Sequence, residues 1–489
     1  MRSLSRLGYS AGMSTDLLFT PAVKAAALIR AKKLSPVEYL DTVLKAADRA
    51  NPKLNCFREV FADTARKDAK QAEEAVMRGD PLGPLHGVPV SIKDLVDVKG
   101  VPTRHGSAIF ADNPPAAADD ILVKRLRDAG AIVFAKATTP EFGVKGLTDG
   151  PEFGITRNPW NLERTPGGSS GGGAAAVAAG LGPISLGTDG AGSVRGPASC
   201  SGLVGLKPTL GVVPYDTTRD AFANNISAGP LSRTITAAAV MHAAMVGPTE
   251  KDPWALGSAG QRPLSPKLSG EDLSGVRIGY IELCANPRIA ADVRTNTRAC
   301  LDAWAAMGAT VEEVTEKIDW IEYEGRVLYQ AGFAVTCAQY LPKWQNQMDP
   351  VTLAFMQRGD KFTLADFRNA QFARTVLFRK IQTLFERYDF IVTPTNSRTA
   401  LDVTHDAAND EVIVDGVKCG ITRQGWTSYQ YPFNLTGHPA LAVPSGFGTD
   451  QMPTSVQIVG KWQAETDVLR LGALLERVRP WADKRPASL

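Results

Sequence analysis

The chain has 489 residues, of which 44% are hydrophobic and 21% are charged, as in an ordinary globular protein. Its 54 basic residues nearly balance its 51 acidic residues, and the formal net charge of +3 gives no electrostatic reason to expect nucleic acid or an anionic membrane as a partner. The longest apolar stretches, such as the alanine-rich run 174–181, are too short to span a bilayer.

The N-terminus is basic and contains serine but has no apolar core, so we expect no secretory signal there. Met13 is an alternative start, and residues 1–12 would then be an extension. We expect residues 1–19 to form an N-terminal extension and residues 20–480 to form a single domain. Length alone does not argue for more domains, because large α/β enzymes often fold as one unit.

Regular structure begins with Ser35-Pro36-Val37-Glu38, where serine caps a helix, proline fits the first turn and glutamate follows three residues after the cap. Two later stretches, 120–135 and 297–311, each predict a helix, a glycine and then a strand. Further short apolar runs predict buried strands at 88–92, 184–187, 276–281, 390–392, 440–443 and 456–459. Buried strands that alternate with helices predict an α/β/α layered protein around one central sheet.

The region 250–385 combines a loop-like beginning with an aromatic-rich helical part. Residues 250–275 are rich in proline, glycine and serine and predict a surface connection, whereas residues 288–385 predict mainly helices. We expect this region to be a variable, mainly helical elaboration near the substrate site. Ordinary helix packing is the alternative explanation for each of its aromatic residues, which are Trp304, Trp320, Tyr323, Tyr329, Phe333, Tyr340 and Trp344.

The cysteines and histidines give no sign of a metal site. The six cysteines form no Cys-x-x-Cys pair and have no regular spacing, which is typical of reduced, buried thiols in a cytoplasmic protein. The five histidines are scattered and form no His-Glu-x-x-His motif. We therefore expect neither a metal nor another cofactor.

The most unusual part of the sequence is the glycine- and serine-rich segment 166–197. A phosphate-binding loop needs a lysine after the glycines, and a dinucleotide-binding loop needs G-x-G-x-x-G between a strand and a helix; neither pattern occurs here. Residues 167–171 do satisfy the G-x-S-x-G of a nucleophile elbow, but the polar residues before them, which end in Pro166, make a poor strand. An elbow also needs a later acid and a histidine, and no motif marks any of the available histidines, His242, His405 and His438.

A third interpretation uses the whole segment together with a lysine upstream. A helix that starts near Gly172 leads into the strand 184–187, and the loop 188–192 then presents Ser193. Small residues in this loop let consecutive backbone N–H groups converge on one point, as an oxyanion hole requires. Upstream, a predicted strand ends in Lys93, and a lysine held in apolar surroundings loses proton affinity and can act as a base.

With these motifs the chain resembles the amidase signature family from about residue 20 to residue 478. The family's pattern is a lysine in G-V-P-x-x-x-K-D, then G-G-S-S-G-G, then G-x-D-x-G-G-S-x-R-x-P-A. The matching segments here are 87–94, 167–172 and 187–198, in which the two motif serines, Ser169 and Ser193, lie 24 residues apart. The resemblance implies the family's α/β/α fold, with one central mixed, mostly parallel twisted sheet.

The resemblance also implies a role for each matching residue. Ser193 corresponds to the nucleophile, Lys93 to the base, and Ser169 to a bridging serine that follows a cis peptide bond. The backbone N–H group of Ser193 corresponds to one donor of the oxyanion hole, and the other donors are those of Gly190, Ala191 and Gly192. Three further matching positions are expected to support the site without taking part in the chemistry: Ser170, Asp189 and Arg195.

One residue departs from the family's pattern, because Ala191 stands where glycine is usual. If this position needs a positive φ, alanine adds strain there, and if it does not, the methyl group merely narrows the pocket. We expect the second outcome, because the rest of the motif is intact.

The implied function is hydrolysis of the C–N bond of a small-molecule, non-peptide amide through an acyl-enzyme. The aromatic content of 288–385 favours an aryl amide, an anilide or a carbamate as substrate. The alternative is the glutamine-hydrolysing component of a tRNA-dependent amidotransferase, which needs partner chains. Five residues depart from the usual motif of that component and favour a free-standing hydrolase, for which the family implies a homodimer: Thr188, Gly190, Ala191, Val194 and Gly196.

Overall fold

The computed structural model describes residues 16–258 and 260–487. Most of the predicted N-terminal extension and the alternative start at Met13 therefore lie outside the described residues. No helix in the described ranges is both long enough and apolar enough to cross a bilayer. All six cysteines fall within these ranges, where they are buried and unpaired, as predicted.

Helices and strands alternate along most of the chain. The helices are α1 (Ala22–Arg30), α2 (Pro36–Leu54), α3 (Ala62–Arg78), α4 (Ile121–Asp128), α5 (Gly171–Ala178), α6 (Arg195–Ser201), α7 (Ile235–Met245), α8 (Pro253–Leu256), α9 (Ala291–Ala306), α10 (Glu322–Cys337), α11 (Leu341–Trp344), α12 (Pro350–Gly359), α13 (Leu364–Arg387), α14 (Thr422–Gly425), α15 (Tyr431–Leu435) and α16 (Glu465–Val478). The strands are β1 (Phe57–Val60), β2 (Pro89–Lys93), β3 (Ile132–Ala137), β4 (Asp149–Gly150), β5 (Gly154–Ile155), β6 (Ile184–Asp189), β7 (Val204–Lys207), β8 (Ser227–Ser232), β9 (Arg277–Tyr280), β10 (Thr310–Glu313), β11 (Phe390–Pro394), β12 (Ile413–Val414), β13 (Val417–Lys418), β14 (Ala440–Phe447) and β15 (Pro453–Gly460).

One sheet of 11 strands forms the centre, in the order β1-β3-β2-β6-β8-β7-β14-β15-β11-β9-β10. The pairs β3–β2, β2–β6, β11–β9 and β9–β10 run parallel, and every other neighbouring pair in this sheet runs antiparallel. The α/β fold around one mixed central sheet is confirmed, but the expectation that the sheet is mostly parallel is corrected. One reason lies between β14 and β15, where residues 448–452 are enough for a hairpin but too few for the crossover that parallel strands need.

Helices cover both faces of the sheet, as the burial pattern of its strands requires. In β3, Ile132 and Phe134 pack with residues of α2 and α3, whereas Val133 packs with residues of α4 and α7. Successive side chains of a strand point to opposite faces, so a strand covered on both sides is a continuous apolar run. This burial explains why short apolar runs in the sequence predict these strands correctly.

Strand β8 has no counterpart among the sequence predictions, and neither do β1 and β7. Its sequence, Ser-Ala-Gly-Pro-Leu-Ser, contains glycine and proline, which are typical of turns rather than of strand interiors. A side chain at Gly229 would collide with the backbone carbonyl oxygen of Leu206 on β7. Glycine therefore lets β7 and β8 approach closely, a requirement that local sequence patterns do not reveal.

The region 250–385 is mainly helical, as predicted, but it also contributes β9 and β10 to the central sheet. Its helices α10 and α12 pack against each other, and both reach the cavity described below. The division of the chain into an N-terminal extension and one domain with a variable elaboration remains a prediction.

Candidate active site

Lys93 is the last residue of β2 and is almost completely buried, with 1% of its surface exposed. Because β2 and β6 run parallel with Ile92 opposite Leu186, Lys93 lies beside the point where β6 continues into the glycine-rich loop. Its Nζ donates hydrogen bonds to Ser169 Oγ at 2.7 Å and to Thr188 Oγ1 at 3.0 Å. Burial lowers the pKa of Lys93 to about 7, against an opposing effect of the Asp189 charge. A large fraction of this amine is therefore neutral near pH 7 and able to accept a proton.

Ser169 precedes α5, and the peptide bond between Gly168 and Ser169 is cis, as the resemblance implied. The Ser169 hydroxyl accepts this hydrogen bond from Lys93, and when the amine is neutral its lone pair can accept the Ser169 proton across the same contact. The next residue, Ser170, donates its backbone N–H to the carbonyl oxygen of Ser193 at 3.2 Å. The two serine segments therefore lie side by side.

Ser170 connects the start of α5 to the end of β6. Its hydroxyl donates to the Thr188 carbonyl oxygen at 3.2 Å and accepts from the Thr188 N–H at 3.3 Å. The same Thr188 also accepts a hydrogen bond from Lys93 through its side chain. Ser170 thus has contacts that suit the supporting position expected for it.

A fully buried ion pair between Asp189 and Arg195 holds the loop after β6. Arg195 donates from Nε to Asp189 Oδ2 at 3.0 Å and from Nη2 to Oδ1 at 2.9 Å. Burial alone would raise the pKa of Asp189, but the charge and hydrogen bonds of Arg195 hold that pKa well below its usual range. Arg195 also donates to the side chains of Asn434 and Gln457, which ties the loop to α15 and β15.

The predicted oxyanion hole needs one correction, at Gly192. The Gly192 N–H donates to Asp189 Oδ1 at 2.7 Å, so this donor is already engaged inside the protein. Glycine is nevertheless required there, because its φ is 115° and a side chain would collide with Gln430. The N–H groups of Gly190, Ala191 and Ser193 remain the candidate donors.

Ala191 behaves as expected from the sequence. It is not among the residues with a positive φ, so the methyl group adds no backbone strain. Its side chain instead lines the cavity onto which Ser193 opens. The substitution of the usual glycine therefore narrows the pocket.

Ser193 opens onto a cavity of about 930 Å³, counting the space that is open to solvent. Gly168, Ala191 and Gln430 belong to its wall. Other parts of the wall come from α10, α12 and the segment 421–431, through Arg326, Tyr329, Gln330, Phe355, Arg423 and Tyr431.

The two explanations offered for the aromatic residues of 288–385 apply to different residues. Tyr329 lines the cavity, whereas Trp304 and Trp320 belong to the buried core. Phe355, which is not among the residues selected from the sequence, also lines the cavity and meets Tyr329 edge to face, with ring centroids 5.7 Å apart. Three other aromatic residues pack in a cluster with Cys337 and Met356: Phe333, Tyr340 and Trp344. This cluster adjoins the cavity wall, because the ring centroid of Phe333 lies 6.4 Å from that of Tyr329 and 6.1 Å from that of Phe355.

Two polar residues of the site, Gln430 and Asn434, are not among the residues selected from the sequence. Gln430 packs against Gly192, and Asn434 Nδ2 donates to the Asp189 carbonyl oxygen at 2.8 Å and to its Oδ1 at 3.0 Å. Both residues lie far along the chain from the loop that they contact. In the sequence, Asn434 is a polar residue inside the short apolar run of α15.

The structure brings all the residues selected from the sequence into one site. Lys93 bonds to Ser169, whose segment lies beside Ser193, and the loop between β6 and α6 is held by Asp189 and Arg195. The chemical roles assigned to these residues remain proposals.

Comparison with known proteins finds relatives over almost the whole chain. The Amidase family model matches residues 38–469. An acylamidase of Rhodococcus erythropolis is 36% identical, covering 97% of this chain and 98% of that protein. A component of the glutamyl-tRNA(Gln) amidotransferase of Symbiobacterium thermophilum is 34% identical, covering 95% of this chain and 98% of that protein. Among solved structures, a bacterial aryl acylamidase of the amidase signature family has a TM-score of 0.86 at 26% identity, covering 95% of this chain and 97% of that chain.

Proposed function

This chain belongs to the amidase family and is an amide-bond hydrolase, and we propose that it acts through an acyl-enzyme on Ser193, with Ser169 and Lys93 completing a catalytic triad. The observation that carries this proposal is the 2.7 Å hydrogen bond from Lys93 to Ser169, made by a buried lysine whose pKa is lowered to about 7. Ser169 in turn lies beside the segment of Ser193, which opens onto the cavity.

The first step forms the acyl-enzyme. Ser193 Oγ attacks the amide carbonyl carbon, its proton passes to Ser169, and the Ser169 proton passes to the neutral Nζ of Lys93. The negative charge on the carbonyl oxygen is stabilised by the candidate backbone donors at Gly190, Ala191 and Ser193. One such donor is worth roughly 3–4 kcal/mol of transition-state stabilisation in other hydrolases.

The intermediate then breaks its C–N bond. The proton held by Lys93 returns through Ser169 to the leaving nitrogen, so the amine departs as a neutral molecule and Ser193 remains acylated. A water molecule then attacks the acyl carbon and gives its proton to the same relay. The bond between that carbon and Ser193 Oγ breaks as the proton returns to Ser193 Oγ, which releases the carboxylic acid. The overall reaction consumes one amide and one water and yields one acid and one amine.

The composition of the cavity favours an aryl amide, an anilide or a carbamate as the substrate. Tyr329, Phe355 and Tyr431 line the cavity that contains Ser193, and aromatic rings stack favourably on flat substrates. The relatives described as an acylamidase and an aryl acylamidase support the same class.

A glutamine-hydrolysing component of an amidotransferase is the second candidate, because the amidotransferase protein of Symbiobacterium thermophilum is 34% identical over almost the whole chain. That function requires partner chains, and the departures at Thr188, Gly190 and Val194 from the usual motif of that component weigh against it.

We also propose that the chain forms a homodimer, as the family implies, and that it is cytoplasmic, as its buried thiols suggest. Light scattering of the purified chain tests the dimer directly.

One experiment separates these candidates. The purified chain and its Ser193→Ala variant are treated with a fluorophosphonate, and the intact mass is recorded beside turnover of nitroanilides, carbamates and glutamine. We expect a single adduct that is absent from the variant, together with turnover of aryl amides or carbamates. Turnover of glutamine alone would favour the amidotransferase component, and turnover retained by Ser193→Ala would refute the proposed nucleophile.

A further inference from the structure

The charged residues that line the cavity containing Ser193 are all basic. Four basic residues line it, Lys145, Arg326, Arg358 and Arg423, and no aspartate or glutamate is found among the described residues of the lining. A substrate pocket for neutral amides does not require this excess of positive charge.

Two of the four basic residues are paired with nearby carboxylates. Lys145 lies 2.7 Å from both Asp149 and Asp349. Arg326 binds Glu322 at 3.0 Å, and both residues belong to α10. Neither of these pairs includes Arg423.

Neither Arg423 nor Arg358 forms such a pair among the described residues, and of the two only Arg423 is partly buried. Its Nε atom is buried and has no hydrogen-bond partner within the described chain. Glu322, the carboxylate whose charge acts most strongly on it, is bound to Arg326. Burial lowers the pKa of Arg423, but an arginine keeps its charge at neutral pH. Arg358, by contrast, is exposed and is hydrated by solvent.

Two aromatic rings hold the Arg423 guanidinium in place. Its Cζ lies 5.9 Å from the centroid of the Tyr329 ring and 5.1 Å from that of the Tyr431 ring. Both tyrosines also line the cavity. A guanidinium fixed in this way loses little conformational entropy when it binds a planar, two-oxygen group.

We propose that Arg423 binds a carboxylate of the substrate, so that the preferred substrates are amides that carry a carboxylate beside the aromatic wall of the cavity. A half-buried guanidinium with an unused donor is stabilised most by a ligand that supplies both negative charge and two acceptors. This assignment rests on the proposed function, because it places the carboxylate in the same cavity as Ser193. It makes Arg423 a specificity-determining residue rather than a part of the proton relay.

The test uses two pairs of amides in which a carboxylate is replaced by a neutral methyl ketone. One pair carries the group on the amine side, para-acetamidobenzoate and para-acetamidoacetophenone. The other carries it on the acyl side, the mono-para-nitroanilide of succinic acid and the para-nitroanilide of levulinic acid. Each compound is measured as a substrate and as a competitor of fluorophosphonate labelling at Ser193. The competition reports binding even for a compound that is not hydrolysed.

In at least one pair, we expect the wild-type chain to prefer the carboxylate. Arg423→Gln should reduce that preference by roughly 10- to 100-fold, mainly through KM or the competition constant, because a hydrogen bond to a charged group is lost. Arg423→Lys should retain part of the preference, since a point charge replaces the planar fork. Arg78→Gln, which removes an exposed guanidinium on α3 outside the cavity lining, is the matched control.

The labelling rate of Ser193 distinguishes the possible failures. Suppose that Arg423→Gln is labelled normally at Ser193, but that its turnover and binding fall equally for both members of each pair, or for neither. Arg423 then does not bind a substrate carboxylate, and the inference is overturned while the assignment of Ser193 as nucleophile stands. A wild-type preference for the neutral member in both pairs would overturn it as well. If the wild-type chain is not labelled at Ser193, the proposed function itself fails, and this inference fails with it.

Discussion

Two strand ends in this molecule carry nearly identical lysines and yet differ in what those lysines can do. Lys93 ends β2 and Lys207 ends β7; each is 1% exposed, and burial lowers the pKa of each to about 7. Lys93 donates to the hydroxyls of Ser169 and Thr188, whereas Lys207 donates to the backbone carbonyl oxygen of Pro208. A hydroxyl can pass a proton on, but a carbonyl oxygen cannot. A lowered pKa therefore does not identify a catalytic base until the partner is known.

A third buried lysine extends the comparison. Lys136 lies on β3, next to β2, and forms an ion pair with Asp94 at 3.3 Å. Its Nζ also donates to the Val96 carbonyl oxygen and to Thr103 Oγ1. This lysine is held by a carboxylate and two neutral acceptors, which suits a structural role.

The largest predicted effect comes from replacing the two strand-end lysines by methionine. Lys93→Met should lower kcat/KM by on the order of 10³-fold, as expected for loss of a general base. Lys207→Met should leave kcat/KM within about threefold, because no step of the reaction uses this amine. Steady-state kinetics on one aryl amide measures both, and thermal unfolding checks that both variants are folded. Equal losses in the two variants would contradict the distinction between the lysines.

The next largest effect concerns two buried carboxylates, Asp189, which pairs with Arg195, and Asp94, which pairs with Lys136. Asp189→Asn should lower the free energy of unfolding by about 3–5 kcal/mol, because Arg195 cannot lose its proton and would stay buried without a charged partner. Asp94→Asn should cost less, about 1–2 kcal/mol, because Lys136 keeps two neutral acceptors and can become neutral. Urea unfolding measures both values, and a larger cost for Asp94→Asn would reverse the expected order.

These carboxylates also differ in the sign of their pH dependence. The pKa of Asp189 is lowered on folding, so its contribution to stability is present above its usual pKa and is lost as the pH falls through the folded value. Burial raises the pKa of Asp94 to about 6, so folding favours its protonated form, and the contribution of Asp94 to stability weakens as the pH rises from about 4 to 6.

The pH dependence of catalysis should follow Lys93. Below its pKa of about 7 this amine is protonated and cannot accept the serine proton, so kcat/KM should fall about tenfold for each pH unit. Above that value the amine is neutral and kcat/KM should be constant. The pH profiles of wild type and of Lys207→Met should show the same fall in kcat/KM at low pH. If Lys207→Met shifted the pH of this fall, the fall would reflect protonation of Lys207 and not of Lys93.

The smallest effect is expected at Ala191. Ala191→Gly should lower the free energy of unfolding by about 0.5–1 kcal/mol, because glycine gains freedom in the unfolded chain and the folded backbone needs no positive φ here. Its kcat/KM should stay within about twofold of wild type. The matched variant Gly192→Ala should be far more harmful, because its side chain would collide with Gln430. Calorimetry and kinetics on both variants test the contrast.

The parts of the fold that the sequence predicts are those that local patterns determine. Apolar runs mark strands such as β2 and β6, and Ser35 caps α2 by accepting from the Glu38 N–H as its position predicts. Strand β8 and the antiparallel pairs depend on which segments meet across the sheet, and no local pattern carries that information. The engaged Gly192 donor and the contacts of Asn434 are likewise set by residues distant in the chain.

The rate at which a fluorophosphonate labels Ser193, measured against pH, tests the central claim most directly. For the wild-type chain we predict one adduct, absent from Ser193→Ala, whose rate of formation rises with pH and levels off above about 7. Lys207→Met should reproduce this profile. Lys93→Met should be labelled far more slowly, and its labelling rate should not show the rise that levels off above about pH 7. An adduct that persists in Ser193→Ala, or an unchanged rate and profile in Lys93→Met, would contradict the assignment of Ser193 and Lys93.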